Sequence, residues 1–413
     1  MADGEFFLPK INMAGNQTGI IGSEFPLFNG LIAIFDMIFG YQHWYGRLIN
    51  LLVSSFGIFY FHQAAERLFD KKTAFYSAMV LLVSLWFAFS RKIMPDTFSV
   101  ALVMVGLYHA LRYATDGKYL SLFLFFVFGT LGILCKLPAL SLYAVLVVMV
   151  LHPSVTPRQK IAFSATGVVS VAVVAVWYFY YVPYLLETYR YQLYFPKGLA
   201  EGWKEMMPLL PEAAEKFYFS SLQSFVALGC CVLGLFLFVG ENNRYKKIAV
   251  FCFCIVFLLF TLKTGAVFPL HNYYIIPFTP LMALMAGYLL AKVPQRIGYI
   301  LLCIIVIEGI ANQQHDFFIP QNQKYKLELV EMAEKYTIPE DLIIINGGQN
   351  PQQIYFTNRK GWTVSDSVFA EPAMMNQMIS DGARYIFQNR KTSEVQLPYG
   401  TVYSNENWVL YKP

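Results

Sequence analysis

The stretch IAFSATGVVSVAVVAVWYFYYV, residues 161–182, decides the fold class of this chain. It contains no charged side chain, and its apolar residues run continuously instead of alternating with polar ones. A helix needs about 20 apolar residues to cross a bilayer, and only helices or closed barrels satisfy their backbone groups in lipid. Because the run is continuous, it predicts a membrane-spanning helix.

The composition extends this interpretation to the rest of the chain. Hydrophobic residues make up 57% of the 413 residues and charged residues only 14%, whereas a soluble domain usually carries about 25% charge. So few charged side chains cannot cover a water-soluble surface of this size. The net charge of +5 is spread along the chain without a basic cluster, which argues against a nucleic-acid partner.

The length rule for membrane helices divides the chain into three parts. Residues 1–46 are predicted to form a first extra-cytoplasmic loop with interfacial helices. Residues 47–314 are predicted to form an all-α polytopic bundle of about ten spans, with a long external loop at 183–222. Residues 315–413 are polar and long enough for a small soluble α/β domain. The predicted spans are 47–69, 73–91, 94–114, 120–136, 137–152, 161–182, 223–240, 248–265, 273–293 and 297–314.

Within the C-terminal segment, short apolar runs alternate with helical patterns. Helices are predicted at 324–336 and 371–381. The Gly347-Gly348 pair follows the first predicted strand and is interpreted as a turn, since no phosphate-binding glycine motif is present. The predicted strands are 341–346, 353–357, 362–364, 384–388 and 403–411.

Lysine and arginine in short loops predict the side of the membrane that each loop faces. The short loops near 67–72, 112–118, 158–160, 244–247 and 292–296 are consistently basic, so they are placed in the cytoplasm. The first loop, the turns at Arg91–Asp96 and Lys136, and the C-terminal domain then lie outside it. The short loops and compact tail favour a bacterial inner membrane, with the C-terminal domain in the periplasm.

Charged side chains at the ends of spans are the first candidates for chemistry, because charges at membrane depth are costly and usually functional. Asp96 follows Pro95 where two spans meet. It is interpreted either as a helix-capping carboxylate or as a group that faces an active cavity with Arg91 and Lys92. Lys136 lies between two apolar runs, and it either snorkels to the interface or binds a phosphate.

The segment HNYYIIPFTP, residues 271–280, places polar and aromatic side chains at the mouth of a span. Its tyrosines also fit an interfacial aromatic belt, but a belt does not require the neighbouring His271. The first loop and its border add acidic side chains that are either solvated or functional, and an arginine that either anchors the span or binds a lipid phosphate. These residues are Asp3, Glu5, Glu24 and Arg47.

The order of these motifs resembles the dolichyl-phosphate-mannose protein mannosyltransferase and aminoarabinose transferase group of GT-C glycosyltransferases. An acidic pair in the first loop is followed by GSEFPLFNGLIAIFDMIFG, residues 22–40, which leads into YGRLINLL, residues 45–52. The motifs LFDKKTA, SRKIMPDTFSV, the Lys136-Leu-Pro turn and HNYYIIP then follow in sequence. The resemblance covers about residues 1–295, and the ordered set is more specific than any single motif.

The resemblance implies an enzyme that transfers a hexose or pentose from a polyprenyl-phosphate carrier to a lipid, glycan or protein acceptor. The sugar leaves as an oxocarbenium-like centre, and an acidic residue of the first loop acts as general base on the acceptor. Asp3 is the first candidate for this base and Glu5 the second. Glu24 and Asp96 would flank the site, where they either orient the base or hold a divalent cation.

The resemblance also implies binding roles for basic and aromatic side chains. Cations would neutralise the carrier phosphate as it leaves, which stabilises charge that develops in the transition state. These cations are Arg91, Lys92, Lys136 and His271, with Arg47 as a further phosphate ligand at the border of the first span. Tyr273 and Tyr274 would line the sugar or carrier pocket.

Two features depart from the pattern of that family. The family begins with a span that delivers the first loop to the outside, so an upstream start is expected for this chain. The acidic motif is also Asp-Gly-Glu instead of an adjacent Asp-Glu pair. Other readings remain open at this point: a polytopic transporter, a polymerase or ligase of another fold, and a catalytically inactive assembly partner. A transporter would be favoured by internal repeats and by spans broken at the midplane.

Overall fold

A computed structural model of the chain describes residues 5–191 and 197–413, so Asp3 lies outside the described residues. The described chain forms a helical bundle followed by a small α/β unit, which confirms the predicted fold class. The helices are α1 Leu27–Phe39, α2 Tyr45–Leu68, α3 Lys71–Leu82, α4 Leu85–Ser90, α5 Pro95–Asp116, α6 Tyr119–Cys135, α7 Val147–Leu151, α8 Pro157–Ala175, α9 Val182–Tyr189, α10 Leu199–Met206, α11 Leu210–Glu215, α12 Phe225–Val239, α13 Arg244–Thr264, α14 Val267–Leu270, α15 Thr279–Lys292, α16 Gln295–Gln313, α17 Glu328–Tyr336, α18 Gln352–Thr357, α19 Asp366–Phe369 and α20 Pro372–Ser380.

Within the described residues, five helical stretches are long and apolar enough to cross a membrane by themselves. They are α2, α5, the continuous helix Pro157–Tyr189, α13, and α16 extended to Asp316. The stretch Leu199–Ser220 and α12 make a sixth crossing if this pair, bent by 94°, counts as one span. The other predicted spans are helical but shorter or broken. The predicted external loop at 183–222 also contains helices, namely α9, α10 and α11.

Two interruptions between helices shape the outer end of the bundle. The predicted span 73–91 divides into α3 and α4, because the Ser84 hydroxyl accepts a hydrogen bond from the Trp86 amide at 3.2 Å and starts a new helix. Helix α6 ends at Cys135, and Pro138 lies at the start of the 3₁₀ helix Leu137–Leu146. Proline has no amide hydrogen with which to continue the α-helical ladder. The chain therefore turns where the Lys136-Leu-Pro motif lies, and Lys136 is extended between the two helices.

The basic loops gather at one end of the bundle. The Arg67 guanidinium donates to Thr115 Oγ1 at 3.3 Å, and the side-chain amide of Gln159 donates to the Tyr113 carbonyl at 3.0 Å. The Lys246 ammonium lies 4.7 Å from the centre of the Phe69 ring. These contacts agree with the prediction that the loops share one side of the membrane, and the assignment of that side to the cytoplasm stays a prediction.

The C-terminal unit is built on a five-stranded mixed sheet in the order β2-β1-β3-β5-β4. Strand β1 pairs in parallel with β2 and β3, whereas β5 pairs antiparallel with β3 and β4. Ile343 packs against α17 on one face and Ile344 against α20 on the other, so β1 is covered on both faces and its sequence is continuously apolar. The strands are β1 Leu342–Ile345, β2 Lys360–Thr363, β3 Ala383–Asn389, β4 Gly400–Ser404 and β5 Trp408–Lys412.

Two local predictions in this unit are wrong. Residues 353–357 form helix α18 instead of a strand, because the buried Gln353, Ile354 and Thr357 share one face only at helical spacing. The predicted last strand, 403–411, is a turn between β4 and β5 together with parts of both strands. The Asn405 carboxamide oxygen forms this turn by accepting hydrogen bonds from the amides of residues 407 and 408.

Interfacial helices are predicted within residues 1–46, and the structure has helix α1 there. One side of α1 packs into the protein through Phe28, which is 3% exposed. Its other side leaves apolar side chains uncovered, which fits a helix that lies in the membrane interface. The exposed side chains are Ile34, Met37, Ile38 and Phe39.

Candidate active site

Lys136 brings two of the predicted acidic residues together. Its ammonium donates a hydrogen bond to Glu24 Oε1 at 2.7 Å and lies 3.9 Å from Asp96 Oδ1. The exposed fractions of the side chains are 15% for Lys136, 38% for Glu24 and 4% for Asp96. Three residues that are far apart in sequence therefore form one charged cluster, which is named the Lys136 cluster below.

Glu24 reaches the cluster because the chain before α1 is hydrogen-bonded to the bundle. The Phe25 amide donates to the Leu134 carbonyl at 3.0 Å, close to the end of α6. The Trp177 indole donates to the Ser23 carbonyl at 3.1 Å. These bonds fix the backbone on both sides of Glu24 and direct its side chain to Lys136.

Asp96 lies in the first turn of α5, next to Pro95 at the start of the helix. A carboxylate there is stabilised by the helix dipole, although no described side chain caps the helix with a hydrogen bond, and the site role of Asp96 stays a prediction. The turn before it is held by the buried Asn50, whose amide group donates to the carbonyls of Phe89, Lys92 and Met94 at 2.9, 2.8 and 3.1 Å. Asn50 was not a predicted site residue, because a single amide inside a span carries no sequence motif.

One carboxylate oxygen of the Lys136 cluster has no hydrogen-bond donor among the described residues. Asp96 Oδ2 is buried and accepts no hydrogen bond from any residue that the structure describes. Burial acts to raise the pKa of Glu24, but the neighbouring Lys136 ammonium outweighs it and holds that pKa below its ordinary value. Glu24 is therefore ionised at neutral pH, and the cluster contains an oxygen that is ready for a donor from a substrate.

Aromatic rings cover the Lys136 ammonium. The centres of the Tyr273 and Tyr274 rings lie 5.5 Å and 5.9 Å from Lys136 Nζ. The His271 ring stacks on Tyr273 with a centroid separation of 5.1 Å. The predicted HNYY segment thus contributes directly to the cluster through cation–π contacts.

A second buried ammonium lies beside this segment. Lys216 is 7% exposed, and its Nζ donates to Asn272 Oδ1 at 2.5 Å. Burial and the charges of Lys216 and Lys136 lower the pKa of His271 below 6.5, so His271 is neutral at pH 7. A neutral His271 can take part in hydrogen bonding, and its role in neutralising the carrier phosphate stays a prediction. The sequence signal for Lys216, a lone lysine before an aromatic run, was overlooked.

Other predicted site residues do not contact the Lys136 cluster. Arg91 lies over the rings of Phe87 and Phe317, at 4.4 Å and 5.2 Å from their centres. Lys92 pairs with Asp316 at 3.0 Å, so both cations face the start of the C-terminal unit. Arg47 is exposed near the beginning of α2, and its charge helps to lower the pKa of His43, after the larger effect of burial.

Glu5, the described member of the predicted acidic pair, forms an ion pair with Lys10 at 2.6 Å. Its neighbours Phe6 and Phe7 pack on Phe25, with ring centres 5.5 Å and 6.2 Å apart. Glu5 thus lies in a segment that packs beside Glu24, although its carboxylate is not part of the Lys136 cluster.

A divalent cation at Glu24 and Asp96 stays a prediction. The ammonium of Lys136 contacts both carboxylates, and in the described ranges no group of three or more His, Cys, Asp or Glu side chains could hold a metal ion. A cation there would need to compete with this ammonium and take further oxygen ligands from water or a phosphate.

A cavity of about 570 Å³ lies between the first loop, α1 and the C-terminal unit. Lys10, the ion-pair partner of Glu5, lines it on the side of the first loop, and Asn358 lines it on the side of the C-terminal unit. The lining from α1 is partly polar and partly apolar. It consists of Asn29, Ile32, Ala33, Asp36 and Met37.

Comparisons with known proteins support the predicted resemblance. Residues 23–180 match the family described as dolichyl-phosphate-mannose-protein mannosyltransferase. None of the curated proteins matches the sequence.

Several solved structures share the fold. ArnT from Cupriavidus metallidurans bound to undecaprenyl phosphate is similar with a TM-score of 0.68 and 15% identity, over 99% of this chain and 90% of ArnT. The archaeal oligosaccharyltransferase AglB from Archaeoglobus fulgidus, in complex with an inhibitory peptide and a dolichol-phosphate, is similar with a TM-score of 0.55 and 11% identity. That match covers 95% of this chain and 66% of AglB. The resemblance to GT-C glycosyltransferases of the mannosyltransferase and ArnT-like group is confirmed.

Proposed function

We propose that this chain is an integral membrane glycosyltransferase that moves a sugar from a polyprenyl-phosphate donor to an acceptor on the extra-cytoplasmic side. The observation that carries the proposal is the Lys136 cluster, a buried ammonium between two carboxylates and beneath two tyrosine rings. Support comes from the family match, which spans all three charged residues, and from the fold shared with ArnT bound to undecaprenyl phosphate.

The donor side of the reaction requires positive charge. The bond between the anomeric carbon and the phosphate oxygen breaks, and the carrier phosphate leaves with one additional negative charge. We assign Lys136 and Lys216 to this phosphate, since both ammonium groups are largely removed from water. A cation held in a site that excludes water stabilises developing charge more strongly than a solvated one.

The sugar would lie next to the carboxylates and tyrosines. Asp96 Oδ2 is buried and unpaired among the described residues, so it is suited to accept a hydrogen bond from a sugar hydroxyl. Tyr273 and Tyr274 would pack on the apolar face of the ring. A hexose and a pentose both offer such hydroxyl groups, and either serves as the donor sugar in this proposal.

The acceptor side of the reaction requires a base. The acceptor oxygen or nitrogen bonds to the anomeric carbon and loses one proton to a carboxylate. Asp3 and Glu5 remain our assignments for this base. Glu5 is joined through Lys10 to the 570 Å³ cavity, and we propose that the acceptor enters there. An acceptor with a lipid anchor and a polar head fits the mixed lining from α1.

We further propose that the protein resides in a bacterial inner membrane with the C-terminal unit in the periplasm. The basic loops at the opposite end of the bundle support this orientation. The undecaprenyl phosphate bound to ArnT supports a carrier of the same chemical class.

The test is sugar transfer in membranes that contain the full-length protein. Radiolabelled polyprenyl-phosphate sugars are supplied, and wild type is compared with Asp3→Asn, Glu5→Gln and Asp96→Asn, with the exposed Glu187→Gln as control. We expect either Asp3→Asn or Glu5→Gln to abolish transfer while donor binding persists. Asp96→Asn should weaken both donor binding and transfer. A wild-type protein that binds no carrier and neither hydrolyses nor transfers its sugar would overturn the proposal.

A further inference from the structure

The first loop contains a small hairpin, residues 9–21, named the first-loop hairpin below. Its two arms are joined by the antiparallel bridge Lys10–Ile20 and by hydrogen bonds from Ile11 N to Gly19 O at 2.9 Å and from Ile21 N to Pro9 O at 3.0 Å. Ile20 and Ile21 are 5% and 7% exposed, so the hairpin is packed and not a solvated loop.

The tip of the hairpin is bonded to the edge of the C-terminal sheet. The Gly15 amide donates to the Gly361 carbonyl at 2.7 Å, and the Gly361 amide donates to the Asn12 carbonyl at 2.9 Å. Gly361 belongs to β2, which is the outermost strand of the sheet on this side. An open edge strand offers unpaired backbone groups, and the hairpin tip satisfies them as an added strand would. Met13 packs against the core of the same unit.

Gly15 is required for this contact in two ways. Its φ of +59° lies in the left-handed region that side chains disfavour. A Cβ added at this position would also stand 2.4 Å from Trp362 Nε1. The indole of Trp362 therefore fills the space that any larger residue at position 15 would need.

The base of the hairpin connects this tip to the Lys136 cluster. On one side, Phe7 packs on Phe25 and its carbonyl accepts a hydrogen bond from Tyr181 Oη at 3.1 Å. Lys10 forms an ion pair with Glu5. Together with Pro9, Lys10 also lines the cavity of about 570 Å³ that is proposed for the acceptor and is named the acceptor cavity here. On the other side, the chain runs directly from Ile21 to Glu24. A displacement of the tip would thus move Glu5 and one wall of the cavity.

We infer that the contact between Gly15 and β2 has a positioning role. The C-terminal unit holds the first-loop hairpin against its edge strand β2, and this contact fixes the positions of Glu5 and of the residues that line one side of the acceptor cavity. Gly15 and Trp362 are positioning residues in this scheme. A second contact, between His43 Nδ1 and Tyr355 Oη at 3.2 Å, joins the far end of the first loop to the same unit. The docking stands on the contacts alone, and its effect on acceptor use rests on the proposed function.

The experiment compares Gly15→Ala with Gly229→Ala in α12, where an added Cβ meets no atom within 4 Å. Hydrogen exchange is measured on the full-length protein in lipid nanodiscs. In Gly15→Ala, we expect the backbone amides of positions 11, 15 and 361 to exchange about tenfold faster than in wild type, while the amides of β1 and β3 stay protected. In Gly229→Ala, all of these amides should exchange as in wild type. Trp362→Leu, which removes the indole but leaves Gly15 unchanged, should give a smaller effect in the same direction.

Transfer assays on the same variants connect docking to function. We expect Gly15→Ala to raise the KM for the acceptor by about tenfold and to leave binding of undecaprenyl phosphate unchanged, because the ammonium groups assigned to the carrier phosphate, those of Lys136 and Lys216, belong to the bundle. Unchanged exchange of the hairpin amides in Gly15→Ala would overturn the docking. Faster exchange with an unchanged acceptor KM would overturn the positioning role. If wild type shows no transfer at all, the proposed function fails, while the exchange result still decides the docking.

Discussion

Lys136 in the membrane bundle and Arg359 in the C-terminal unit are both cations withdrawn from water, but their surroundings differ. Lys136 pairs with Glu24 and approaches Asp96, which keeps an unpaired buried oxygen among the described residues. Arg359 is 6% exposed, and its guanidinium donates only to uncharged oxygens at 2.9–3.3 Å. The acceptors are Thr337 Oγ1 and the carbonyls of Ala333, Thr337, Thr357 and Asn358.

This difference separates a structural charge from the charge that we propose binds the carrier phosphate. The bonds of Arg359 tie the end of α17 to the turn before β2, and its hydrogen-bonding capacity is used within the protein. The Lys136 cluster brings an ammonium and two carboxylates together but leaves an oxygen of Asp96 without a donor in the described part of the chain. Buried polar groups are normally satisfied, so an unsatisfied carboxylate oxygen beside a buried ammonium is a candidate for binding a substrate group.

The largest effect is expected from Lys136→Met, which keeps the length of the side chain and removes its charge. We expect transfer to fall by about 10²–10³-fold, because the leaving phosphate loses an ammonium that stabilises it and two carboxylates are left unbalanced. The measurement is kcat at saturating donor in membranes with equal amounts of folded protein.

Lys118→Met is the matched control for this variant, because Lys118 is an exposed lysine at the basic end of the bundle. It should retain wild-type turnover. If Lys136→Met also retained wild-type turnover, Lys136 would be a structural cation like Arg359, and the contrast between the two regions would fail.

Arg359→Leu should affect stability and not donor binding. The substitution leaves several carbonyl groups buried without donors, so we expect the free energy of unfolding to fall by about 3 kcal/mol. Thermal unfolding followed by tryptophan fluorescence measures the change, since Trp362 and Trp408 lie in this unit. Arg390→Leu, which removes an exposed side chain with one carbonyl partner, should change stability little. A loss of donor affinity in folded Arg359→Leu would contradict the structural assignment.

The parts of the fold that follow from local pattern could be predicted from the sequence. The run at 161–182 lies inside the continuous helix Pro157–Tyr189, and Pro138 lies where an α-helix gives way to a 3₁₀ helix. The same local rules failed for residues 353–357, where aromatic and β-branched residues favour a strand, but the tertiary structure buries one helical face.

The candidate site could be predicted only in part, because its geometry depends on contacts between distant segments. Glu24 and Lys136 are separated by 112 positions in sequence, and no local pattern indicates that they pair. Asn50 shows no motif, and Lys216 shows only a lysine before an aromatic run, since their contacts arise from a carbonyl and a side-chain amide that the fold brings to them. Asp3 lies outside the described residues, so its role remains a prediction.

A smaller effect than that of Lys136→Met is expected from Asn50→Leu, which tests how the bundle positions Asp96. The variant removes the donor for three carbonyls in the turn before α5, and we expect a loss of about 1–3 kcal/mol in unfolding free energy. Donor affinity should also fall, because the turn no longer fixes Asp96. Ser55→Ala, which removes an exposed hydroxyl bonded to its own helix, is the control. Wild-type donor affinity in Asn50→Leu would show that Asp96 is positioned by α5 alone.

The smallest effect is expected from pH acting on Glu24. Burial acts to raise its pKa, but Lys136 prevails, so the folded pKa lies below the unfolded value of about 4.5. A carboxylate with a lowered pKa contributes stability that is complete above its unfolded pKa and is lost as the pH falls through its folded pKa. The difference in unfolding free energy between wild type and Glu24→Gln should therefore be constant at neutral pH and shrink below about pH 4.5. It should not exceed about 1 kcal/mol, because the Glu24 side chain is 38% exposed and water screens the pair. A difference that grows on acidification would mean that Glu24 is protonated beside Lys136, and the Lys136 cluster would then lack its main ion pair.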